Sequence, residues 1–133
     1  MKRELERVRG SGLGELQGML KEVIPPELVG RHASNGRRRR LPQEVAFWAF
    51  LSQALSEDSS CAQAVARVQS WSAAAELPVP SADTSSYCKA RQRLPEEMLE
   101  AIHEHLVEGL DRSLGGDYRW RGRALKAVDG SSV

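Results

Sequence analysis

The sequence is poor in aromatic residues, cysteine and long apolar runs. Aromatic residues make up 5% of the 133 residues, which argues against a β-sandwich or barrel rich in such side chains. No apolar run approaches the roughly 18 residues that a membrane span needs. The charged N-terminus lacks the apolar stretch of a secretory signal. These features predict a mainly α-helical protein located in the cytoplasm, without a membrane partner.

The few potential metal ligands are poorly arranged for binding a metal. Cys61 and Cys88 are far apart in the sequence, each within a predicted helix, and fit neither a metal motif nor a disulfide framework. We expect buried free thiols in a reducing compartment. His103 and His105 are two residues apart on a helix and point to different faces, so they cannot easily bind one metal ion.

Charge is strongly segregated, although the formal net charge is only +1. Four consecutive arginines occupy positions 37–40: Arg37, Arg38, Arg39 and Arg40. Residues 85–94 carry Lys89, Arg91 and Arg93 without an acid, whereas residues 95–111 carry acids without Lys or Arg. The basic blocks predict contact with a polyanion, although four arginines in a loop are often simply solvated.

Two apolar patterns predict long helices. The first follows Pro42, which can occupy the first turn of a helix, and covers a wide arc that indicates a central, buried helix. Its residues are Val45, Phe47, Trp48, Phe50, Leu51 and Leu55. The second begins at Pro95 and carries a stripe of Leu99, Ile102, Leu106 and Leu110 before Gly115-Gly116 end the helix.

Residues 81–94 predict a short capped helix with one polar, basic side. Asp83 and Thr84 are good N-caps, and the helix should extend to about Arg93. We expect an exposed face and an inward face formed by Tyr87, Ala90 and Leu94. The exposed face would comprise Ser85, Ser86, Lys89, Gln92 and Arg93. Helix-turn-helix proteins present side chains to DNA in this manner, and a helix N-terminus favours phosphate; an ordinary surface helix is the alternative.

The last residues predict a hinge followed by a strand. Residues 118–123 form the basic hinge, and residues 125–128 form an apolar strand that delivers Asp129. An isolated strand leaves its backbone groups unpaired. We therefore interpret the chain as the front part of a larger protein, although Asp-Gly alone would ordinarily indicate a turn.

Three segments in this order resemble one family. They are LPQEVAFWAFL (41–51), SSYCKARQRLP (85–95) and KAVDGSS (126–132). Together they resemble the N-terminal region of the insertion-element-4 family of DDE transposases, over roughly residues 40–133. The resemblance implies a helical DNA-binding domain followed by the first strand of a ribonuclease-H-like catalytic domain. The substrate would be double-stranded transposon-end DNA, with no small-molecule substrate.

The resemblance also assigns a role to Asp129. It matches the first acid of the catalytic triad, which helps to hold two Mg²⁺ ions for DNA cleavage and strand transfer. The family's second Asp and its Glu have no counterpart in these 133 residues. We therefore expect no activity and no bound Mg²⁺ for this fragment alone.

These patterns predict three regions and leave two other functions open. The regions are an N-terminal helix and basic loop (1–40), a helical DNA-binding domain (41–114), and a hinge with the start of a catalytic domain (115–133). The alternatives are an independent helix-turn-helix regulator, with Asp129 in a turn, and a helical module whose acidic helix meets a basic protein. The sequence leaves open whether the protein forms a homodimer and whether residues 1–40 pack on the rest.

Overall fold

A computed structural model of the chain describes residues 2–32, 41–115 and 119–124. Within these ranges the protein is mainly helical, as predicted. Seven helices and two short strands follow in the order α1 (Lys2–Gly10), α2 (Leu13–Leu20), α3 (Pro26–Gly30), α4 (Gln43–Leu55), α5 (Cys61–Ala74), α6 (Thr84–Gln92), α7 (Glu96–Leu114), β1 (Arg119–Trp120) and β2 (Arg123–Ala124).

Helix α4 is the centre of the fold. Residues 45–49 are all buried, as are Ser52 and Gln53, and the helix packs against α1, α2, α3, α5 and α6. This confirms the central helix predicted from its wide apolar arc. Pro42 is the N-cap of α4 rather than its first helical residue, one position earlier than we predicted.

The buried side chains form two clusters on different sides of α4. The first cluster joins α2, α4, α5 and α6 through Leu13, Val45, Ala49, Ala64, Val65, Val68 and Tyr87. The second cluster joins α2, α3, α4 and α7 through Leu16, Ile24, Val29, Phe47, Trp48, Met98 and Ile102. Since α2 contributes to both clusters, the N-terminal helices pack on the rest of the protein, which the sequence left open. The boundaries at residues 40 and 114 stay a prediction.

Helix α5 is capped by Ser60, whose hydroxyl accepts a hydrogen bond from the Gln63 backbone amide. Three helix boundaries predicted from the sequence are confirmed. Asp83 and Pro95 are the N-caps of α6 and α7. Gly115 ends α7 with a φ of 57°, a conformation that glycine adopts without steric cost.

Helix α7 follows its predicted apolar stripe only in part. Met98 and Ile102 are buried, and Leu99 and Leu106 pack against the second cluster. Leu110 is 56% exposed, however, and Val107 and Leu114 are also exposed. The reason is length: a 19-residue helix extends for about 28 Å, whereas its neighbour α3 has five residues and covers about 8 Å.

Residues 119–124, most of which belong to the predicted basic hinge, form a β-hairpin that the sequence did not predict. Arg119 pairs with Ala124 and Trp120 with Arg123 in an antiparallel register. Arg121 and Gly122 form the connecting turn with φ values of 50° and 76°, and two positive values are typical of a type I′ turn. The predicted strand at 125–128 and Asp129 lie outside the described residues, so the ribonuclease-H-like part of the fold stays a prediction.

Candidate nucleic-acid interface

Helix α6 begins at a carboxylate that is already engaged by the helix. One oxygen of Asp83 accepts a hydrogen bond from the Ser85 amide at 3.0 Å, and the other accepts one from the Ser85 hydroxyl. Both hydrogen bonds lower the pKa of Asp83, and the bond from the Ser85 hydroxyl has the larger effect. A phosphate at this helix N-terminus would meet the negative side chain that already caps it, and phosphate binding there stays a prediction.

One side of α6 is exposed to solvent. Ser85, Ser86 and Lys89 are exposed, and so are Gln92 and Arg93 at the end of the helix. A helical spacing of 100° per residue places these five side chains on one face. The structure therefore confirms the predicted exposed face; its contact with DNA stays a prediction.

The opposite side of α6 is anchored in the protein interior. Tyr87 is 2% exposed and belongs to the first cluster. Ala90 is half-buried, and Leu94 packs against the second cluster. The predicted inward face is confirmed, and it fixes which side of α6 points to solvent.

A buried polar network sets the orientation of α6. The Tyr87 hydroxyl donates to the side-chain oxygen of Gln53 at 2.5 Å, and a guanidinium nitrogen of Arg91 donates to the same oxygen at 3.1 Å. The Gln53 amide nitrogen donates to the Ser59 carbonyl at 2.7 Å. Gln53 of α4 thus connects α6 with the segment that precedes α5.

The chemistry of Tyr87 suits this donor role. The pKa of Tyr87 is raised to about 12, mainly because the side chain is buried. Nearby Arg91 opposes this shift. The hydroxyl therefore keeps its proton at neutral pH and donates to Gln53. The Arg91 guanidinium also lies over the Tyr87 ring, 5.8 Å from its centre, a favourable cation–π distance.

Sequence reasoning missed two residues of this network. It counted Arg91 with the basic residues of the segment, whereas the structure turns Arg91 inward onto Gln53 and Tyr87. It did not single out Gln53, although a polar residue within the apolar arc of α4 was the available signal, since buried polar side chains need partners.

The connection to α6 is longer than that of a helix-turn-helix unit. Residues 75–83 separate α5 from α6, whereas the turn of that motif has three or four residues. The Gln69 amide holds this connection by donating to the Pro80 carbonyl at 3.0 Å. The shorter connection, residues 93–95, leads from α6 to the acidic α7. The helix-turn-helix geometry is therefore not confirmed.

A groove beside α6 reaches the residue that follows the four arginines. It has a volume of about 240 Å³, and its walls include Leu41, Val79 and Ser86. Leu41 directly follows Arg40 in the sequence. Arg37, Arg38, Arg39 and Arg40 themselves lie outside the described residues, as does Asp129.

The described part of the chain shows neither a metal site nor a membrane span. No group of three or more His, Cys, Asp or Glu side chains there is arranged to hold a metal ion. None of the helices in residues 2–32 and 41–115 is long and apolar enough to cross a membrane.

Comparison with known proteins identifies the family of this helical domain. The family described as insertion element 4 transposase N-terminal matches residues 15–104. The chain therefore belongs to this transposase family. The match begins earlier than the resemblance near residue 40 indicated and does not include the segment around Asp129. Neither the curated proteins nor the solved structures contain a significant match.

Proposed function

We propose that this domain binds double-stranded DNA for a transposase, with the exposed face of α6 as its main contact surface. The observation that carries the proposal is the fixed orientation of this helix. The network around Gln53 holds one side of α6, while Lys89 and Arg93 on the other side are exposed. No acid occurs from Thr84 to Arg93.

The chemistry of this face suits DNA. Lys89 and Arg93 can neutralise phosphates, while Ser85, Ser86 and Gln92 can exchange hydrogen bonds with phosphates or base edges. The Ser85 hydroxyl already donates to Asp83, so its remaining capacity is as an acceptor. We therefore assign phosphate contact to the two basic residues and base contact to Gln92.

The four arginines provide a second proposed contact. The Gln43 amide donates to the His32 carbonyl at 2.9 Å, which ties the end of α3 to the start of α4, and Leu41 lines the groove beside Ser86. The segment that carries Arg37, Arg38, Arg39 and Arg40 begins and ends at these two points in the sequence. We propose that these arginines contact the phosphates of the DNA that lies on α6.

The proposal is tested by binding to a labelled duplex of mixed sequence at increasing salt concentration. Neutralisation of about six phosphates should give a log–log slope near −5. Lys89→Ala with Arg93→Ala should reduce the magnitude of this slope by about 2. Fluorescence anisotropy measures both the affinity and the slope.

The hairpin supplies a control pair of the same charge. Arg119→Ala with Arg121→Ala removes two positive charges from exposed residues of a different element, and should weaken binding less than the α6 pair. Equal losses from the two pairs would mean that α6 is not the contact helix. Binding that is absent, or insensitive to salt, would refute the DNA-binding function.

The acidic helix favours a second candidate function, in which the domain docks on a basic protein surface. Residues 95–111 carry no Lys or Arg, and Val107, Leu110 and Leu114 are exposed at the far end of α7. An acidic helix with an exposed apolar stripe is suited to a basic partner helix. The absence of DNA binding in the assay above would favour this candidate.

The catalytic role of Asp129 remains a proposal based on the resemblance to the family. Its carboxylate would help to bind Mg²⁺ in a complete catalytic site, because carboxylate oxygens suit this hard ion. Because the role of Asp129 rests on the resemblance alone, we propose DNA binding as the function of these residues. The cytoplasmic location and the homodimer also stay predictions.

A further inference from the structure

The two cysteines, distant in sequence, are neighbours in the fold. Cys61 is the first residue of α5 and Cys88 lies within α6, 27 residues later. Their sulfur atoms are 3.7 Å apart, with the Cys88 thiol donating to the Cys61 sulfur. Both thiols are free and half-buried, whereas the sequence predicted buried thiols with no relation to each other.

We propose that Cys61 and Cys88 are a modification site that forms an intrachain disulfide with low-molecular-weight disulfides such as oxidised glutathione. The thiolate of one cysteine attacks a glutathione sulfur, forms a mixed disulfide and releases one glutathione thiolate. The thiolate of the other cysteine then attacks the protein sulfur of that mixed disulfide and releases the second glutathione. The protein loses two electrons and two protons, and glutathione disulfide is reduced to two glutathione molecules.

The position of the pair permits this reaction. A disulfide bond is about 2.05 Å long, so the sulfur atoms must approach by about 1.7 Å. Cys61 follows the exposed residues 57–60, and Cys88 lies next to exposed Lys89, which gives a small reagent access to the pair. The hydrogen bond with Cys61 and burial raise the pKa of Cys88, so exchange should become faster as pH rises and the thiolate forms.

The bond would join α6 to α5 without using the proposed DNA contacts. Cys88 lies at the edge of the exposed face of α6, and none of the five side chains of that face takes part. A cross-link that closes a loop of this length should lower the unfolding equilibrium constant by a few hundred-fold, because it restricts the unfolded chain. The disulfide is independent of DNA binding, so either proposal can fail without the other.

The test uses the whole 133-residue protein, reduced and then incubated with oxidised glutathione at mildly alkaline pH. We expect a product that has lost two hydrogens by intact mass, has no thiol left to alkylate and is monomeric on a non-reducing gel. Its urea unfolding midpoint should be higher than that of the reduced protein, and dithiothreitol should restore the original midpoint.

Cys61→Ser and Cys88→Ser are the matched controls, since each retains one thiol and should stop at the mixed glutathione disulfide. Circular dichroism checks that each variant is folded. If one of the variants does not fold, the mass and urea results for the wild-type protein decide the proposal. Wild-type protein that carries a glutathione adduct on each cysteine, or that forms covalent dimers, would overturn it. So would an intrachain bond that forms only in urea or lowers the unfolding midpoint.

Discussion

Helices α6 and α7 are consecutive in the chain but are held by different kinds of contact. Helix α6 has nine residues and directs Tyr87 and Arg91 onto one buried acceptor, Gln53. Helix α7 has 19 residues and is fixed by apolar packing near its start, around Met98 and Ile102. The shorter helix is therefore held by directional hydrogen bonds in addition to apolar packing. A long, regular apolar stripe indicates that a helix exists, but it does not show how much of that helix is covered.

The two helices also differ in charge. The exposed face of α6 is basic, whereas α7 begins with Glu96 and Glu97 and carries further acids along its length. A nearby acidic helix would repel the phosphates that α6 is proposed to bind. Under that proposal, the contrast favours an approach of DNA from the α6 side.

The largest expected effect separates the two halves of α7. Met98 is 0% exposed, so Met98→Ala should leave a cavity and lower the free energy of unfolding by about 2–5 kcal/mol. Leu110→Ala, at the exposed end of the same helix, should change it by less than about 0.5 kcal/mol. Urea unfolding followed by circular dichroism measures both. Similar losses would mean that the end of α7 is covered in solution.

The next effect concerns the acceptor that holds α6. Gln53→Ala should lower the free energy of unfolding by about 2–3 kcal/mol, because Tyr87 and Arg91 lose their buried acceptor. Gln92→Ala is the matched control, since Gln92 is exposed on the same helix that Gln53 anchors, and should be nearly neutral. A neutral result for Gln53→Ala would show that apolar packing alone fixes α6.

The smallest effect is a change in alkaline stability. Tyr87→Phe should cost about 1 kcal/mol at neutral pH, since it removes one hydrogen bond. Unfolded tyrosine ionises near its ordinary pKa of 10.0, whereas folded Tyr87 ionises at about 12. The stabilisation that Tyr87 gives to the folded protein is therefore fully present below pH 10 and is lost as pH rises toward 12.

The Tyr87→Phe variant should lack the loss of stability at alkaline pH that comes from ionisation of Tyr87. Urea unfolding of both proteins at several pH values between 9 and 12 should show that the stability difference becomes smaller as pH rises. A difference that stays constant across this window would mean that Tyr87 is not buried as the structure describes.

Local signals in the sequence predicted much of the fold. Asp83 and Pro95 marked helix starts because caps act within one turn of the chain, and the wide arc around Phe47 and Trp48 predicted the central helix. The partners of α7 could not be predicted in this way. The stripe that includes Leu110 repeats correctly, but its burial depends on the length of the neighbouring α3.

The candidate site was predictable in its exposed half and not in its buried half. Helical spacing alone places Ser85, Lys89 and Gln92 on one face. The inward position of Arg91 requires Gln53, 38 residues earlier, and such a contact leaves no local pattern. The pairing of Cys61 with Cys88 was missed for the same reason. The hairpin at 119–124 was not predicted because its turn requires a positive φ at Arg121, a conformation that is uncommon outside glycine.

The side-chain amide of Gln53 determines the path by which a force applied to α6 is transmitted through the protein. A pull on the outer side of α6 passes through Tyr87 and Arg91 into α4, and from Gln53 to the Ser59 carbonyl just ahead of α5. Helix α7 receives this load through Leu94 and the short connection after it. A force that a bound partner applies to α6 is therefore transmitted first to the central helix α4.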